Sequence, residues 1–257
     1  MTQQTETDLT ADLTAAVAIV TGAGRGFGRA IAQALVGAGA HVVGIGRDRE
    51  QLAAVHEALG DAFEPVVGDV VDPVLPGRLV DEYRPRLLVL NAGATPLIRP
   101  LQQHSWESFS RPWEIDVRQA FTWSREALTS PLAPGSTVIA VSSRAALAGS
   151  PLSGGYAGAK ATVRFVAAYA AQESDRAELG IRFLSILPDL TSQTGLGMEA
   201  VAGYARRQGM EVEQFLKARG ETMTPGQVGG AVLTLAAGDA PNGSAYVVTA
   251  EGLDRLP

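Results

Sequence analysis

The chain has 257 residues, of which 46% are hydrophobic and 19% charged, a composition that is ordinary for a globular protein with a buried core. Its 21 Lys and Arg residues and 27 Asp and Glu residues give a net charge of −6 without any basic run, which argues against a nucleic-acid partner. Because the chain lacks cysteine and its three histidines lack metal-ligand spacing, disulfides are excluded and no metal site is predicted.

The first residues are polar and acidic, without the basic and apolar regions of a secretory leader. No later stretch stays apolar for the length that a membrane span requires. We therefore predict a disordered tail over residues 1–14, a cytoplasmic protein without a membrane partner, and one domain over residues 15–257.

Short apolar runs alternate with longer helix-like segments along the whole chain. The runs are residues 16–21, 40–45, 62–67, 86–91, 136–143, 181–187 and 244–249. Near-continuous apolar strands separated by helices are typical of a parallel sheet that is covered on both faces. The pattern predicts a single α/β domain with a doubly wound sheet of about seven strands between two helical layers.

The longest stretch between strand-like runs, residues 189–220, has glycines at positions 195, 197, 203 and 209 among others and is predicted to be a helical flap over a substrate site. With the segment 94–98, its large apolar side chains predict a pocket for a hydrophobic substrate. The same side chains also fit ordinary helix packing. They are Leu190, Leu196, Met198, Val201, Tyr204 and Phe215.

A glycine-rich turn, "TGAGRGFG", joins the first predicted strand to the first helix. The spacing G-x-G-x-x-G is absent, but T-G-x-x-x-G-x-G is present, with glycines at Gly22, Gly26 and Gly28. Such a turn brings backbone close to a pyrophosphate at the positive end of a helix. A tight turn without a ligand explains one or two glycines, but not four within seven residues.

The second strand ends about 20 residues after these glycines, at Gly46-Arg47-Asp48, where a Rossmann domain reads the adenosine ribose. With no acid at Gly46, Arg47 suits a 2′-phosphate, and Arg25 adds a second cation, which favours NADP(H) over NAD. Asp48 is the competing ribose ligand, although with Gln51 it is more simply a helix N-cap. A merely solvated Arg47 is the other interpretation.

Tyr156 and Lys160 are four residues apart and so share one face of a predicted helix. An ammonium about 4 Å from the phenol would stabilise the tyrosinate by on the order of 4 kcal/mol at an effective dielectric near 20, an upper value. The pair is therefore a usable acid and base. Ser143, at the end of a strand, is placed to donate a hydrogen bond to a substrate oxygen.

Six motifs in this order make the chain resemble the short-chain dehydrogenase/reductase family over about residues 16–253. They are "TGAGRGFG" at 21–28, "GDV" at 68–70, "LNAG" at 90–93, "VSS" at 141–143, "YAGAK" at 156–160 and Pro188. The resemblance implies a Rossmann-like homo-oligomer, a tetramer or dimer, that moves hydride between a nicotinamide and a small-molecule ketone or alcohol.

The resemblance also implies residue roles. Tyr156 matches the proton donor, Lys160 the residue that activates it and holds the nicotinamide ribose, and Ser143 the residue that orients the substrate. The residues expected to bind the cofactor are Gly22, Arg25, Gly26, Phe27, Gly28, Arg47, Asp69, Val70, Asn91, Ala92, Gly93, Tyr156, Lys160, Pro188 and Thr191.

Two positions depart from the family pattern. Asp116 stands where the family has an asparagine whose main-chain carbonyl holds a water linked to the lysine, so we include it among the catalytic candidates, close to Lys160. Asp189 follows Pro188 where the family has glycine, which brings a carboxylate either to the nicotinamide carboxamide or to solvent.

The preferred hypothesis is an NADPH-dependent ketoreductase, or the reverse alcohol dehydrogenase. A non-redox enzyme such as a dehydratase or cyclase stays open, with Asp116 and Asp189 as contributors. A catalytically silent nucleotide-binding protein also stays open, but it has no need of Ser, Tyr and Lys in register. Trp106, Trp113 and Phe121 are either interface anchors of an oligomer or core residues.

Overall fold

The computed structural model describes residues 13–257, in which one eight-stranded sheet has the order β3-β2-β1-β4-β5-β6-β7-β8. The strands are β1 Val17–Thr21, β2 His41–Gly46, β3 Phe63–Val67, β4 Leu87–Leu90, β5 Thr137–Val141, β6 Arg182–Pro188, β7 Ala245–Val248 and β8 Leu253–Arg255. All neighbouring strands from β3 to β7 are parallel, and β8 pairs antiparallel with β7. The strand order reverses between β1 and β4, which opens a crevice at their carboxyl ends.

Helices cover both faces of the sheet. They are α1 Gly26–Gly37, α2 Arg49–Leu59, α3 Leu75–Tyr83, α4 Trp106–Pro112, α5 Arg118–Thr129, α6 Ala145–Ala148, α7 Gly154–Arg176, α8 Gly195–Arg207, α9 Val212–Arg219 and α10 Pro225–Ala237. A π-helical segment, Trp113–Val117, joins α4 to α5, and short 3-10 turns lie at Gly60–Ala62 and Leu101–Gln103.

Alternating side chains of β1 divide the core into two layers. Ala18 and Val20 pack with α1, α2 and α10 on one face of the sheet, whereas Ile19 packs with α3, α5 and α7 on the other. This arrangement confirms the predicted single α/β domain with a doubly wound sheet. The predicted count of about seven strands corresponds to the parallel strands.

The eighth strand was not predicted, because it carries almost no apolar signal. Only three residues long, β8 exposes Asp254 and Arg255 and half-buries Leu253, so it lacks the buried run by which the other strands were recognised. It covers the edge of β7, where Val247 pairs with Asp254.

The predicted tail, residues 1–14, lies outside the described residues except for its last two. Leu13 donates its backbone N–H to the Ala38 carbonyl at 3.0 Å and packs against the core. The predicted flap contains α8 and α9. No helix in the described part of the chain is both long and apolar enough to cross a membrane.

The start of α7 lies unusually close to α4. A Cβ added at Gly155 would lie 2.0 Å from the Phe109 carbonyl oxygen, a distance that only glycine permits. Because Tyr156 is the next residue, this backbone contact fixes the position of the Tyr156 backbone relative to α4.

The fully buried Trp123 of α5 donates its indole N–H to the Val70 carbonyl at 3.0 Å.

Candidate active site

A cavity of about 1050 Å³ opens at the carboxyl ends of the parallel strands. Small-molecule pockets span roughly 300–1,000 Å³, so it has room for a dinucleotide together with a small substrate. Every residue predicted as catalytic or cofactor-binding lines it. They are Gly22, Arg25, Gly26, Phe27, Gly28, Arg47, Asp69, Val70, Asn91, Ala92, Gly93, Asp116, Ser143, Tyr156, Lys160, Pro188 and Thr191.

The glycine-rich turn packs against backbone that leaves no room for side chains. A Cβ at Gly28 would lie 2.0 Å from the Gly22 carbonyl oxygen, and one at Gly22, whose φ is +67°, would lie 2.9 Å from Ala92 Cα. Helix α1 starts here with Arg25 at its N-cap, whose side chain makes no capping hydrogen bond. The first amides of α1 therefore suit a pyrophosphate, and the turn fits a dinucleotide.

The side chain of Asn91 ties the glycine-rich turn to the end of β4. Its Nδ2 donates to the Thr21 carbonyl at 2.9 Å, and its backbone N–H donates to Thr21 Oγ1 at 2.8 Å. The Ala92 N–H also donates to Thr21 Oγ1, at 3.1 Å. These bonds hold the two walls of the crevice between β1 and β4 in fixed register.

Where the cavity meets the end of β2, Asp48 is already occupied as the N-cap of α2. Its Oδ1 accepts from the backbone N–H groups of Glu50 and Gln51 at 3.0 and 3.1 Å, and its Oδ2 accepts from the Gln51 side chain at 2.8 Å. Arg25 and Arg47 are exposed and line the cavity. The exposed Asp69 lines the cavity as well, so besides the capping Asp48 two guanidinium groups stand against one carboxylate here.

Lys160 is a buried cation paired with a buried anion. Its Nζ lies 3.0 Å from Asp116 Oδ2 and donates to the Val141 carbonyl at 3.0 Å, while the two side chains are 6% and 1% exposed. Burial by itself lowers the pKa of Lys160, but the ion pair with Asp116, with a further contribution from Tyr156, outweighs it. The pKa of Lys160 therefore lies above its ordinary value, and the amine stays charged.

Asp116 reaches Lys160 from the π-helical segment. Pro112, which has no N–H, ends α4, and the chain continues through a wider turn before α5 begins. Oδ1 of Asp116 accepts the Ala94 N–H at 2.7 Å, and a Cβ at Gly93 would lie 2.8 Å from Oδ2. The carboxylate thus joins α7 to the loop after β4.

Tyr156 and Ser143 reach the cavity from α7 and from the end of β5. The Lys160 Nζ lies 5.6 Å from the centre of the Tyr156 ring, so the tyrosine and the lysine share one face of the helix. Both Tyr156 and Ser143 are half-buried, and Ser143 Oγ accepts the Ala145 N–H at 3.2 Å. Ser142 points the other way and donates to the Lys160 carbonyl at 2.7 Å.

Asp189 forms two ion pairs. Its Oδ2 lies 2.9 Å from Arg144 Nη1, and its Oδ1 lies 2.8 Å from Arg219 Nη2. Sequence reasoning missed both arginines, although both line the cavity. The position of Arg144 directly after Ser143 could have indicated that it lies near the site. No sequence pattern connects Arg219 to Asp189, because Arg219 lies 30 residues further along the chain.

Only three of the six large flap side chains predicted for the pocket line the cavity. Leu190, Leu196 and Tyr204 line the cavity, and the Tyr204 hydroxyl lies 2.5 Å from Ser150 Oγ. Val201 and Phe215 instead pack together in a small cluster of the flap's own. Met198 is 41% exposed and does not line the cavity.

Comparisons with known proteins identify the family. The family model described as short chain dehydrogenase matches residues 16–205. The chain is 37% identical over 101 residues to L-xylulose reductase from Homo sapiens, across 39% of this chain and 41% of that protein. It is 33% identical over 131 residues to D-erythrulose reductase from Gallus gallus, across 50% and 52%. It is 32% identical over 124 residues to carbonyl reductase (NADPH) 2 from Sus scrofa, across 47% and 50%.

The crystal structure of 3-ketoacyl-(acyl-carrier-protein) reductase from Brucella melitensis, complexed with NADH, has the same fold. The TM-score is 0.77 at 24% identity, over 92% of this chain and 98% of that chain. The chain spans about half or less of the length of the curated relatives. It belongs to the short-chain dehydrogenase family, which confirms the resemblance drawn from its motifs.

We predict that Asp116→Asn lowers the free energy of unfolding by roughly 3 kcal/mol, because it leaves a buried ammonium without its anion. A raised lysine pKa stabilises the fold fully below the unfolded value of about 10.4, and this contribution is lost only as pH rises through the folded value. Urea unfolding at neutral pH therefore measures the whole effect.

Glu173→Gln is the matched control, since Glu173 pairs with Arg176 on the surface at 2.7 Å. It should change the unfolding free energy by less than about 0.5 kcal/mol. Equal stability of Asp116→Asn and the wild type would contradict the proposed importance of the buried pair.

Proposed function

We propose that the protein is an NADP(H)-dependent oxidoreductase that interconverts a ketone and a secondary alcohol, with a hydrophobic part to the substrate. The observation that carries this proposal is the placement of Ser143, Tyr156 and the charged Lys160 along the same cavity as the glycine-rich turn. The matched relatives named as reductases support it.

When bound, the nicotinamide supplies or accepts the hydride at the substrate carbon. Ser143 donates a hydrogen bond to the carbonyl oxygen and holds it beside the phenol of Tyr156. In reduction, Tyr156 gives its proton to that oxygen as negative charge develops there, and solvent returns a proton to the phenol afterwards. The ammonium of Lys160 stabilises the tyrosinate between these two steps.

The two aspartates that were considered as contributors to a non-redox reaction both form ion pairs. Asp116 faces Lys160 and the Ala94 N–H, and Asp189 lies between two guanidinium groups. A dehydratase or cyclase that relied on these aspartates would need one of them free to exchange a proton with its substrate. The paired state of both groups therefore favours the redox reaction.

The preference for NADP(H) rests on the adenosine end of the cavity. Arg25 and Arg47 are exposed there, and the Asp48 side chain accepts hydrogen bonds as the N-cap of α2. A 2′-phosphate fits two guanidinium groups, whereas a free 2′-hydroxyl needs a carboxylate acceptor. Among the comparison proteins, one name specifies NADPH and one structure contains NADH.

We predict that Arg47→Gln lowers kcat/KM for NADPH about tenfold, because it removes a charge-assisted contact to the 2′-phosphate, with little effect on NADH. Steady-state rates with both cofactors test this. Arg49→Gln is the control, since Arg49 is a neighbouring exposed arginine that does not line the cavity. A wild type that works equally well with NADH, unaffected by Arg47→Gln, would contradict the proposed preference.

We predict that Tyr156→Phe lowers the rate of ketone reduction by a factor of about 10² to 10⁴, the usual contribution of a positioned acid, while cofactor still binds. Nicotinamide absorbance with a panel of ketones measures turnover, and fluorescence titration measures cofactor binding. Tyr169→Phe, on the exposed face of the same helix, is the matched control.

Two results would overturn the assignment. Unchanged turnover in Tyr156→Phe would remove the tyrosine from the reaction. Product formation without any change in nicotinamide absorbance would replace the redox proposal with a non-redox one, and cofactor binding without any turnover would favour a silent protein.

We also propose that the protein is a homo-oligomer, a dimer or tetramer. The described structure exposes aromatic side chains on α5 and α7, with Phe121 53%, Phe165 65% and Tyr169 55% exposed. Trp106 and Trp113 are exposed as well, so none of the three predicted anchors lies in the core of the subunit. Sedimentation equilibrium should give a multiple of the subunit mass, and a monomer would contradict this. The cytoplasmic location stays a prediction.

A further inference from the structure

The pair of arginines held by Asp189 lies in the substrate half of the cavity. Arg144 directly follows Ser143, so their Cα atoms are about 3.8 Å apart. The Arg144 N–H donates to the Pro188 carbonyl at 3.0 Å, which places the base of the cluster between the ends of β5 and β6. Arg219 reaches the same carboxylate from the end of α9 in the flap.

Among the residues that line the cavity, the cluster has more positive than negative charge. The other cation on this side, Lys160, is matched by Asp116, which leaves two guanidinium groups against one carboxylate. Arg144 also contributes, after hydrogen bonds from Thr249 and the backbone, to lowering the pKa of Glu251. That carboxyl is exposed and does not line the cavity, so it partly balances Arg144 without occupying the cavity side of the guanidinium group.

Both guanidinium groups keep donors free for a ligand. Arg144 uses Nη1 and Arg219 uses Nη2 in the contact with Asp189. A guanidinium carries five N–H donors, and the side chains of Arg144 and Arg219 remain 51% and 34% exposed. Asp189 thus orients the two groups without exhausting their hydrogen bonds.

Apolar side chains line the same cavity as the cluster. They include Ala145 and Leu190, which are next to Arg144 and Asp189 in the chain, together with Ala148 and Leu196. A neutral hydrophobic substrate would leave the arginines solvated and unused when the flap covers it. An anionic group would instead replace water at both guanidinium groups with charge-assisted hydrogen bonds.

We propose that Arg144 and Arg219 form a subsite for a carboxylate, so that the substrate is an oxo acid, or the matching hydroxy acid, with an apolar segment. This proposal rests on the reductase function proposed above. The carboxylate binds to the arginines while the oxo group lies against Ser143 and Tyr156. Hydride adds to the carbonyl carbon, the carbonyl π electrons move to oxygen, and that oxygen takes the proton of Tyr156.

Three oxo acids of increasing length, pyruvate, acetoacetate and levulinate, test the subsite, each beside its neutral methyl ester. For the member whose length fits, the wild type should show a kcat/KM at least about tenfold higher for the acid than for the ester, carried by KM. Arg219→Gln should bring this ratio close to one. Arg219→Lys, which keeps the charge, should retain part of it.

Arg207→Gln is the matched control, because Arg207 is exposed on the same flap and does not line the cavity. It should keep the acid-to-ester ratio of the wild type. Thermal unfolding of each variant checks the fold. If the glutamine variant does not fold, the ratios in Arg219→Lys and Arg144→Gln decide, and an undiminished acid preference in both overturns the proposal.

Calorimetric titration of the protein carrying oxidised cofactor with each acid and ester separates this proposal from the reductase function. Tighter binding of acid than ester, lost in Arg219→Gln, supports the subsite even if no ketone is reduced, a result that would overturn only the proposed reaction. Reduction of acids and esters at equal rates, with equal binding, would overturn the subsite and leave the reductase function intact.

Discussion

The buried ion pair between Lys160 and Asp116 is the constraint on which the rest of the site depends. An ammonium taken out of water is costly unless an anion and hydrogen-bond acceptors surround it. Here the anion is Asp116 and the acceptor is the Val141 carbonyl, while the carboxylate also receives the Ala94 N–H. One pair thereby joins α7, the end of β5, the loop after β4 and the π-helical segment. The proposed acid, Tyr156, lies on the same face of α7 as this lysine.

The sheet topology explains why such distant residues meet. Because the strands are parallel, the loops at their carboxyl ends lie at a single edge of the sheet. The reversal of strand order between β1 and β4 opens a crevice at that edge. The Thr21 and Asn91 hydrogen bonds hold that crevice in register, and a glycine at position 28 keeps the first turn close to it. The walls of the cavity around the glycine-rich turn and Asn91 are thus fixed by backbone contacts, while residues 189–220 supply a further part of its lining.

Much of this arrangement was predictable because it follows local rules. The strands from β1 to β7 are continuous apolar runs, the glycine-rich turn follows the first of them, and a four-residue spacing places Tyr156 and Lys160 on one helix face. Asp116 was predicted to lie near Lys160 only through the family resemblance. Nothing in the sequence gives the direction from which it approaches, since that depends on the π-helical segment after Pro112.

Other features depend on packing between distant segments and carry no local signal. The strand β8 exposes two of its three residues, so its sequence does not resemble a strand. Arg219 meets Asp189 only because α9 folds back over the end of β6, and Val201 and Phe215 face each other rather than the cavity. The hydrophobic flap residues therefore indicated that these side chains are buried, but not which residues they pack against.

The charge of Lys160 is the quantity that tests this account most directly. Lys160 and Lys217 are the two lysines of the chain, so heteronuclear NMR of protein labelled at the lysine side-chain nitrogens should show two signals. Exposed Lys217 is the reference in the same spectrum. The account predicts that Lys160 remains an ammonium through neutral and mildly alkaline pH and loses its proton at a higher pH than the reference. A neutral amine at Lys160 near neutral pH would contradict it.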